Sequence, residues 1–320
     1  MIALHGIHQQ LELFGLEARR AEASGDQRQI ARLEAASRAM LENFKDADSI
    51  AWTHAAFAQV GLPHSRPASD AAPWHRANGR LHLLVEPGRI IDHGEPRLVG
   101  VPYGATARLI LIYVQSHAGR DGIVPLGRSL SAWLGKLGLQ VTGGKKGTIT
   151  AVREQMLRFA RSRMSLHWTD ATGTSARIVD QLPVDGMTLW HNVDPHLRDW
   201  HEALHLTQPF LEALREHGMP LADHAIRYLR GTPLGLDIYT WLAHRLPRVT
   251  KREAGRLLDW PALAQQFGAH YARPDHLGGR IRALLPDVLA VYPGARVEAN
   301  SGGVRLWPSP PAVPRRERSR

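Results

Sequence analysis

Gly138-Leu-Gln-Val-Thr-Gly-Gly-Lys-Lys-Gly147-Thr148-Ile-Thr-Ala-Val-Arg-Glu-Gln-Met-Leu-Arg-Phe-Ala-Arg-Ser-Arg-Met164 is a Gly-rich basic turn that runs straight into an amphipathic helix. Ile149, Val152, Met156, Phe159 and Ala160 recur at helical spacing on one face, while Thr150, Glu154, Arg158 and Arg161 fall opposite. The spacing predicts a helix over Thr148 to Met164 with Thr148 as N-cap. Lys145, Lys146, Arg153, Arg158, Arg161 and Arg163 set six positive charges against Glu154 alone. An apolar face for anchoring and a cationic face for phosphates and guanine edges are what a DNA-reading helix needs.

The residues before this stretch extend the pattern. Fourteen residues between Gly104 and Gly119 lack Gly and Pro, which is too long for a strand, so Ala105 to Ala118 reads as a buried helix. A short strand, Ile123 to Leu126, and a helix, Ser129 to Leu137, follow. Beyond the basic helix, strands are expected at Leu166 to Thr169, Arg177 to Val179 and Met187 to Trp190. The same order recurs downstream: helix Leu234 to Leu246, strand Leu257 to Asp259, helices Pro261 to Phe267 and His276 to Leu285, then a hairpin. That hairpin pairs Arg296 to Glu298 with Val304 to Trp307 across Asn300-Ser-Gly-Gly, and Pro286 is expected to end or kink the helix before it. Helix, strand, helix, turn, helix and β-wing is the order of a winged helix, and here it occurs twice without a residue-level repeat.

The expected fold is therefore α+β and mainly helical: two tandem winged-helix domains with an N-terminal helical extension. Residues 1–78 form a helical hairpin and linker, 79–200 the first winged helix, 201–310 the second, and 311–320 a basic tail. In the extension, Leu11 to Ala23 and residues 27 to 45 read as helices about a Ser24-Gly25-Asp26 turn. The stripe Ile30, Leu33, Met40, Leu41 and Phe44 needs a partner, either the body or a second chain, and self-association or partner docking is the role expected of residues 1 to 45. Pro63, Pro67, Pro73 and Gly79 mark residues 61–79 as a linker or irregular loop. Leu81 to Val85 and Arg89 to Ile91 read as two strands about Glu86-Pro-Gly88. Between the two copies, Thr207 to His217 and Leu221 to Arg230 read as helices.

Composition narrows the function. Forty Lys and Arg against thirty Asp and Glu give +10, with a pI near 10.4, and favour a polyanionic partner. Cys is absent, which excludes disulfide frameworks, thiolate metal sites and Cys nucleophiles. The longest apolar run, Leu109 to Val114, is six residues, far short of the roughly 18 of a membrane span. The N-terminus shows no secretory pattern, and a cytoplasmic location is expected.

Two segments resemble enzyme motifs. Gly143-Gly-Lys-Lys-Gly-Thr departs from the phosphate-loop spacing and joins two helices. His201-Glu-Ala-Leu-His205 is a literal HExxH, which on a helix would stack two imidazoles beside a general base. Thr207 and Pro209 start a new helix directly afterwards, however, and Gln208 and Leu211 stand where the extended zinc pattern wants Gly and His. No two histidines lie two positions apart, as nicking chemistry requires, and no Gly-x-Ser-x-Gly occurs. No catalytic residue, metal or cofactor is expected.

Val101-Pro-Tyr-Gly-Ala-Thr-Ala-Arg-Leu-Ile-Leu-Ile-Tyr113, Leu126-Gly-Arg-Ser-Leu-Ser-Ala-Trp-Leu134, Arg153-Glu-Gln-Met-Leu-Arg158, Leu236-Asp-Ile-Tyr-Thr-Trp-Leu-Ala243 and Val288-Leu-Ala-Val-Tyr-Pro293 carry a family likeness. With Leu62-Pro-His and Leu84-Val-Glu-Pro-Gly, the chain resembles plasmid-encoded RepA replication initiators over about residues 50 to 310. The resemblance implies a protein that binds repeated sites in plasmid origin DNA, helps to open the duplex and brings in host replication proteins such as the helicase. A homodimer is a possible assembly. On that reading Lys145, Lys146, Thr148, Thr150, Arg153, Arg158, Arg161 and Arg163 form the first DNA-contacting set, with Thr150 and Arg153 toward base edges and Arg158, Arg161 and Arg163 toward phosphates. Arg273, His276, Arg280 and Arg282 form the second. The alternatives are a winged-helix transcriptional repressor and an HExxH zinc hydrolase.

Overall fold

The computed structural model describes residues 2–42, 50–127, 129–169, 176–187, 202–268 and 273–313. The chain divides into two compact units, one of residues 52–218 and one that joins residues 1–51 to 219–320. Both are mixed α+β. This division differs from the expected boundaries at 78 and 200. The Pro-rich stretch is part of the first unit's body, and the segment after residue 201 completes that unit's sheet.

In the 52–218 unit the helix Gly104–His117 is mostly apolar and buried nearly all round, from Ala107 through Gln115, so it serves as the central post. Its polar side chains are used internally. Gln115 Oε1 accepts from His54 N at 2.6 Å and Ser116 Oγ accepts from Trp52 N at 2.7 Å. Arg108, 4% exposed, donates to the carbonyls of Leu62 and Pro63 at 2.7 and 3.0 Å. Residues 61–73 are thus an irregular loop pinned to the core, not a linker, and Trp74–Asn78 form a strand where the loop was expected to continue. His54 is buried, with His217 edge-on at 5.3 Å; desolvation and then the neighbouring imidazole push its pKa down to about 4.

Helix Leu130–Lys136, capped by Ser129, and helix Thr148–Arg161 complete this unit's helical core around Trp133, Met156 and Phe159. Its strands pair differently from expectation. Leu81–Glu86 pairs with Trp74–Asn78 and with Arg163–Thr169, which in turn pairs with Ala176–Gln181, giving a four-stranded antiparallel sheet. Gly88–Asp92 leaves that sheet and pairs with Glu95–Gly100 as a separate ribbon, so the strands on either side of Glu86-Pro-Gly88 are not partners. The strand expected before the helix pair, Ile123–Gly127, pairs with Glu202–Leu206, which pairs with Val184–Met187. The residues 166–169 and 177–179 assigned to the wing belong to the other sheet, and 188–190 and 170–175 lie outside the described residues.

The other unit repeats the order. Pro233–Arg245 is buried almost all round, Leu257–Asp259 is a strand, Trp260–Phe267 and Pro274–Ala290 are the helix pair, and Val297–Ala299 with Gly303–Leu306 form the hairpin. Its sheet runs Leu257–Asp259, Gly303–Leu306, Val297–Ala299. In both units, then, the strand before the helix pair lies beside the last strand of the hairpin. Pro286 neither ends nor breaks its helix, which continues to Ala290.

Helices Ile2–Ser24 and Gln27–Glu42 form the expected hairpin, with Gly25 at φ 69° and Asp26 Oδ1 accepting from the Arg28 and Gln29 amides. The partner of its stripe is the body of the same chain. Phe14, Leu33, Ala36 and Met40 are buried, the second helix packs on Asp223–Leu229 and Pro274–Ala290, and Arg32 Nε meets Asp287 at 3.0 Å. The body therefore covers the stripe at Leu33 and Met40, whereas Leu41 stays 55% exposed; Phe44 lies outside the described residues. Among the described residues no helix is long and apolar enough to cross a membrane.

Candidate nucleic-acid interface

The basic helix begins one residue earlier than expected. Gly147 is the N-cap and Thr148 lies within the first turn, where its hydroxyl donates to Gln140 O at 2.6 Å and accepts from Thr142 N at 3.0 Å. Thr150 Oγ1 donates to Gly144 O at 2.8 Å. These two threonines therefore brace the Gly-rich turn, which holds Lys145 and Lys146 exposed beside the helix start. Arg153 is exposed one turn into the helix. Arg161 and Arg163 are exposed at its other end, with Arg161 Nε donating to Arg89 O at 2.9 Å. Met164 already belongs to the following strand.

Arg158 is the correction within this set. It is 2% exposed and cannot meet phosphate. Its guanidinium pairs with Asp70 at 3.0 Å and Glu154 at 2.8 Å, donates to Val101 O at 3.3 Å and lies 5.1 Å from the Tyr103 ring centroid. Arg66 closes the cluster on Asp70 at 2.9 Å. Partial desolvation works to raise the Asp70 pKa, but hydrogen bonds from Arg158 and Arg66 outweigh it and hold the carboxyl below its ordinary value. Gly100, at φ 74°, is required here, because a Cβ would overlap the Arg158 guanidinium. The helix thus has two buried sides, one on Gly104–His117 and one on the 61–73 loop, and its exposed cations gather toward its ends. The i,i+4 spacing of Glu154 and Arg158 was the available signal of an internal pair.

In the second set Arg273, His276, Arg280 and Arg282 are all exposed. Arg273 is gripped by both oxygens of Asp275, at 3.0 and 2.7 Å, and Arg282 Nε donates to Gly278 O at 3.3 Å. Trp260 ties the module together: its indole fills the space a Cβ on Gly278 would need, and its Nε1 donates to Ser301 O in the hairpin turn at 2.8 Å. That tie lay beyond sequence reasoning, since it joins three segments distant in the chain.

The HExxH segment does not form the helix that its zinc reading calls for. Glu202–Leu206 run as a strand between two others, with Leu204 buried and His205 exposed, so the motif lacks the helical face that stacks its histidines. His201 lies outside the described residues. Among the described residues no group of three metal-ligating side chains comes together.

Residues 101–261, half of the chain, match the family described as plasmid encoded RepA protein. The chain belongs to this family. Within this RepA chain the matched span runs from the start of the first central helix to the start of the second module's helix pair, and the family-like strings are core: Tyr239 OH accepts from Ala222 N at 2.9 Å and its ring meets Tyr292 edge-on. Crystal structures of RctB domains 2 and 3 are similar over 71% of the RepA chain, covering 82% and 80% of theirs, at 12% and 13% identity and TM-scores of 0.43 and 0.41. A search of the curated proteins finds no match.

Proposed function

We propose that this RepA-family chain initiates plasmid replication by binding repeated origin sites as duplex DNA, opening the adjacent duplex and recruiting host replication proteins such as the helicase. The observation that carries the reading is the repeated order of helix, strand, helix pair and hairpin, each sheet closing with the first strand beside the last, together with the cations left exposed on the first module's basic helix. Closing the sheet in that way holds a hairpin beside a helix that can lie in a groove, and both modules act as winged helices. In the first, Arg153 reads base edges while Lys145, Lys146, Arg161 and Arg163 grip phosphates. In the second, His276, Arg280 and Arg282 face DNA, and Arg273 contributes less because Asp275 occupies its fork. Binding and remodelling need no catalytic residue or cofactor, and two linked readers raise the effective concentration of the second contact.

The test is replication itself: the gene with its flanking DNA should sustain a plasmid that otherwise cannot replicate in a bacterial host. Loss of maintenance on Arg153→Ala, with the folded protein present at normal levels, supports the reading. Maintenance untouched by Arg153→Ala and Arg280→Ala together would sink it.

A further inference from the structure

The ribbon Gly88–Asp92 and Glu95–Gly100 has no part in either hairpin described above. It turns through His93-Gly94, both at positive φ, and its register pairs Arg89 with Leu98, Ile90 with Arg97, Ile91 with Pro96 and Asp92 with Glu95. Alternation separates two faces. Arg89, Leu98, Ile91 and Pro96 share one; Ile90, Arg97, Asp92 and Glu95 share the other, where Arg97 neutralises Asp92 at 2.6 Å. Both acidic side chains are therefore kept off the first face. Near its tip that face presents Ile91, which at 71% exposure is the barest large apolar side chain among the described residues, opposite the exposed Pro96.

The root of the ribbon is fixed to the end of the basic helix. A Cβ on Gly88 would overlap the Arg161 carbonyl, one on Gly100 would overlap Arg158, and Arg161 Nε donates to Arg89 O. Arg89, Arg161 and Arg163 are thus exposed at the base of an arm whose strands of five and six residues reach roughly 15 to 20 Å. Cations at the root, a narrow two-stranded body and an apolar pair near the tip are complementary to a polyanion whose base steps can be pried apart.

We propose that this ribbon is a second DNA-contacting arm, with Arg89 on phosphate and the Ile91–Pro96 pair entering between base steps as a wedge that unstacks and bends the duplex held by the Thr148–Arg161 helix. The assignment rests on the duplex-DNA reading above and adds to it the element that deforms the DNA. A protein docked on the ribbon would be served by Ile91 and Pro96 alone, whereas duplex DNA also engages the exposed cationic root.

The full chain is used to select duplexes from a random-sequence pool, and the enriched duplex is labelled at successive positions with 2-aminopurine and at its ends with a fluorescent pair. The wild type should brighten one step and shorten the end-to-end distance. Ile91→Ser with Pro96→Ser, at exposed positions, should keep the melting temperature, lower the 2-aminopurine signal about threefold or more and relax the bend. Arg153→Ala should weaken sequence discrimination yet leave the signal at saturating protein, which separates reader from wedge. Unchanged unstacking in the double variant overturns the arm while the reader helix stands, and so does a double variant that loses only its hold on purified host helicase. A pool that yields no enriched duplex removes the DNA reading and the wedge with it.

Discussion

The two modules share one plan and differ in what surrounds the helix at its centre of interest. Each has a central helix buried nearly all round, a strand, a helix pair and a closing hairpin with the same sheet order. In the 52–218 module the helix Thr148–Arg161 is enclosed on two sides, because the 61–73 loop covers Arg158, and a pair of strands is inserted before the hairpin. In the other module Pro274–Ala290 is buried along one face, through Leu277, Ile281, Leu285 and Val288, and the N-terminal hairpin packs against it. The difference teaches that a cation count along a helix does not measure its DNA surface. One of the first module's arginines is a strut, and one of the second's is held by its own neighbour Asp275.

The sharpest way to break this comparison is to treat the arginines alike. Arg158→Ala should destabilise the protein by about 2 to 3 kcal/mol in a denaturant titration, because it removes the buried guanidinium's charge-assisted bonds to Asp70 and Glu154 and its packing, although both carboxylates stay partly solvated and Arg66 stays on Asp70. Arg280→Ala should stay within about 0.5 kcal/mol of wild type, as an exposed substitution. Equal effects would end the distinction between strut and surface.

Acid probes the cores instead. His54 in one module and His224 and His244 in the other all have pKa values depressed by burial to about 4. Between the ordinary imidazole value near 6.5 and 4, the unfolded chain binds protons that the folded chain does not, so stability falls as pH drops through that window and levels off below it. His54→Asn, which keeps an acceptor for the Ala56 amide, should remove a dependence on the order of 3 kcal/mol across the window. An unaltered slope in pH-dependent unfolding would show that His54 is not buried neutral.

On DNA, Arg153→Ala should cost about 1 to 3 kcal/mol on the selected duplex and narrow the gap to random DNA, whereas Arg280→Ala should cost less. A larger loss from Arg280 would move specificity to the second module. The smallest effect is expected from Arg161→Ala, which should reduce the slope of log affinity against log salt by about one unit on any sequence. Arg158→Ala, corrected for the folded fraction, should leave that slope unchanged.

What the sequence determined by itself is local. Periodicity fixed the basic helix to within three residues at its end, and turn chemistry located the Asn300-Ser-Gly-Gly hairpin and the Ser24-Gly25-Asp26 turn. The ribbon around His93-Gly94 was also within reach, as a two-residue turn between alternating strands, but Glu86-Pro-Gly88 competed as the more obvious punctuation. Only the tertiary structure decided the rest. Ile123–Gly127 finds its partner nearly eighty residues on, in Glu202–Leu206, and by doing so makes a strand of a motif that spells a zinc helix. Asp70 reaches Arg158 across 88 positions, and the N-terminal stripe finds its cover on helices at 223–229 and 274–290. Helical and strand periods arise from steric limits within a few residues, whereas strand pairing and the burial of a charge depend on which remote segment arrives to satisfy them.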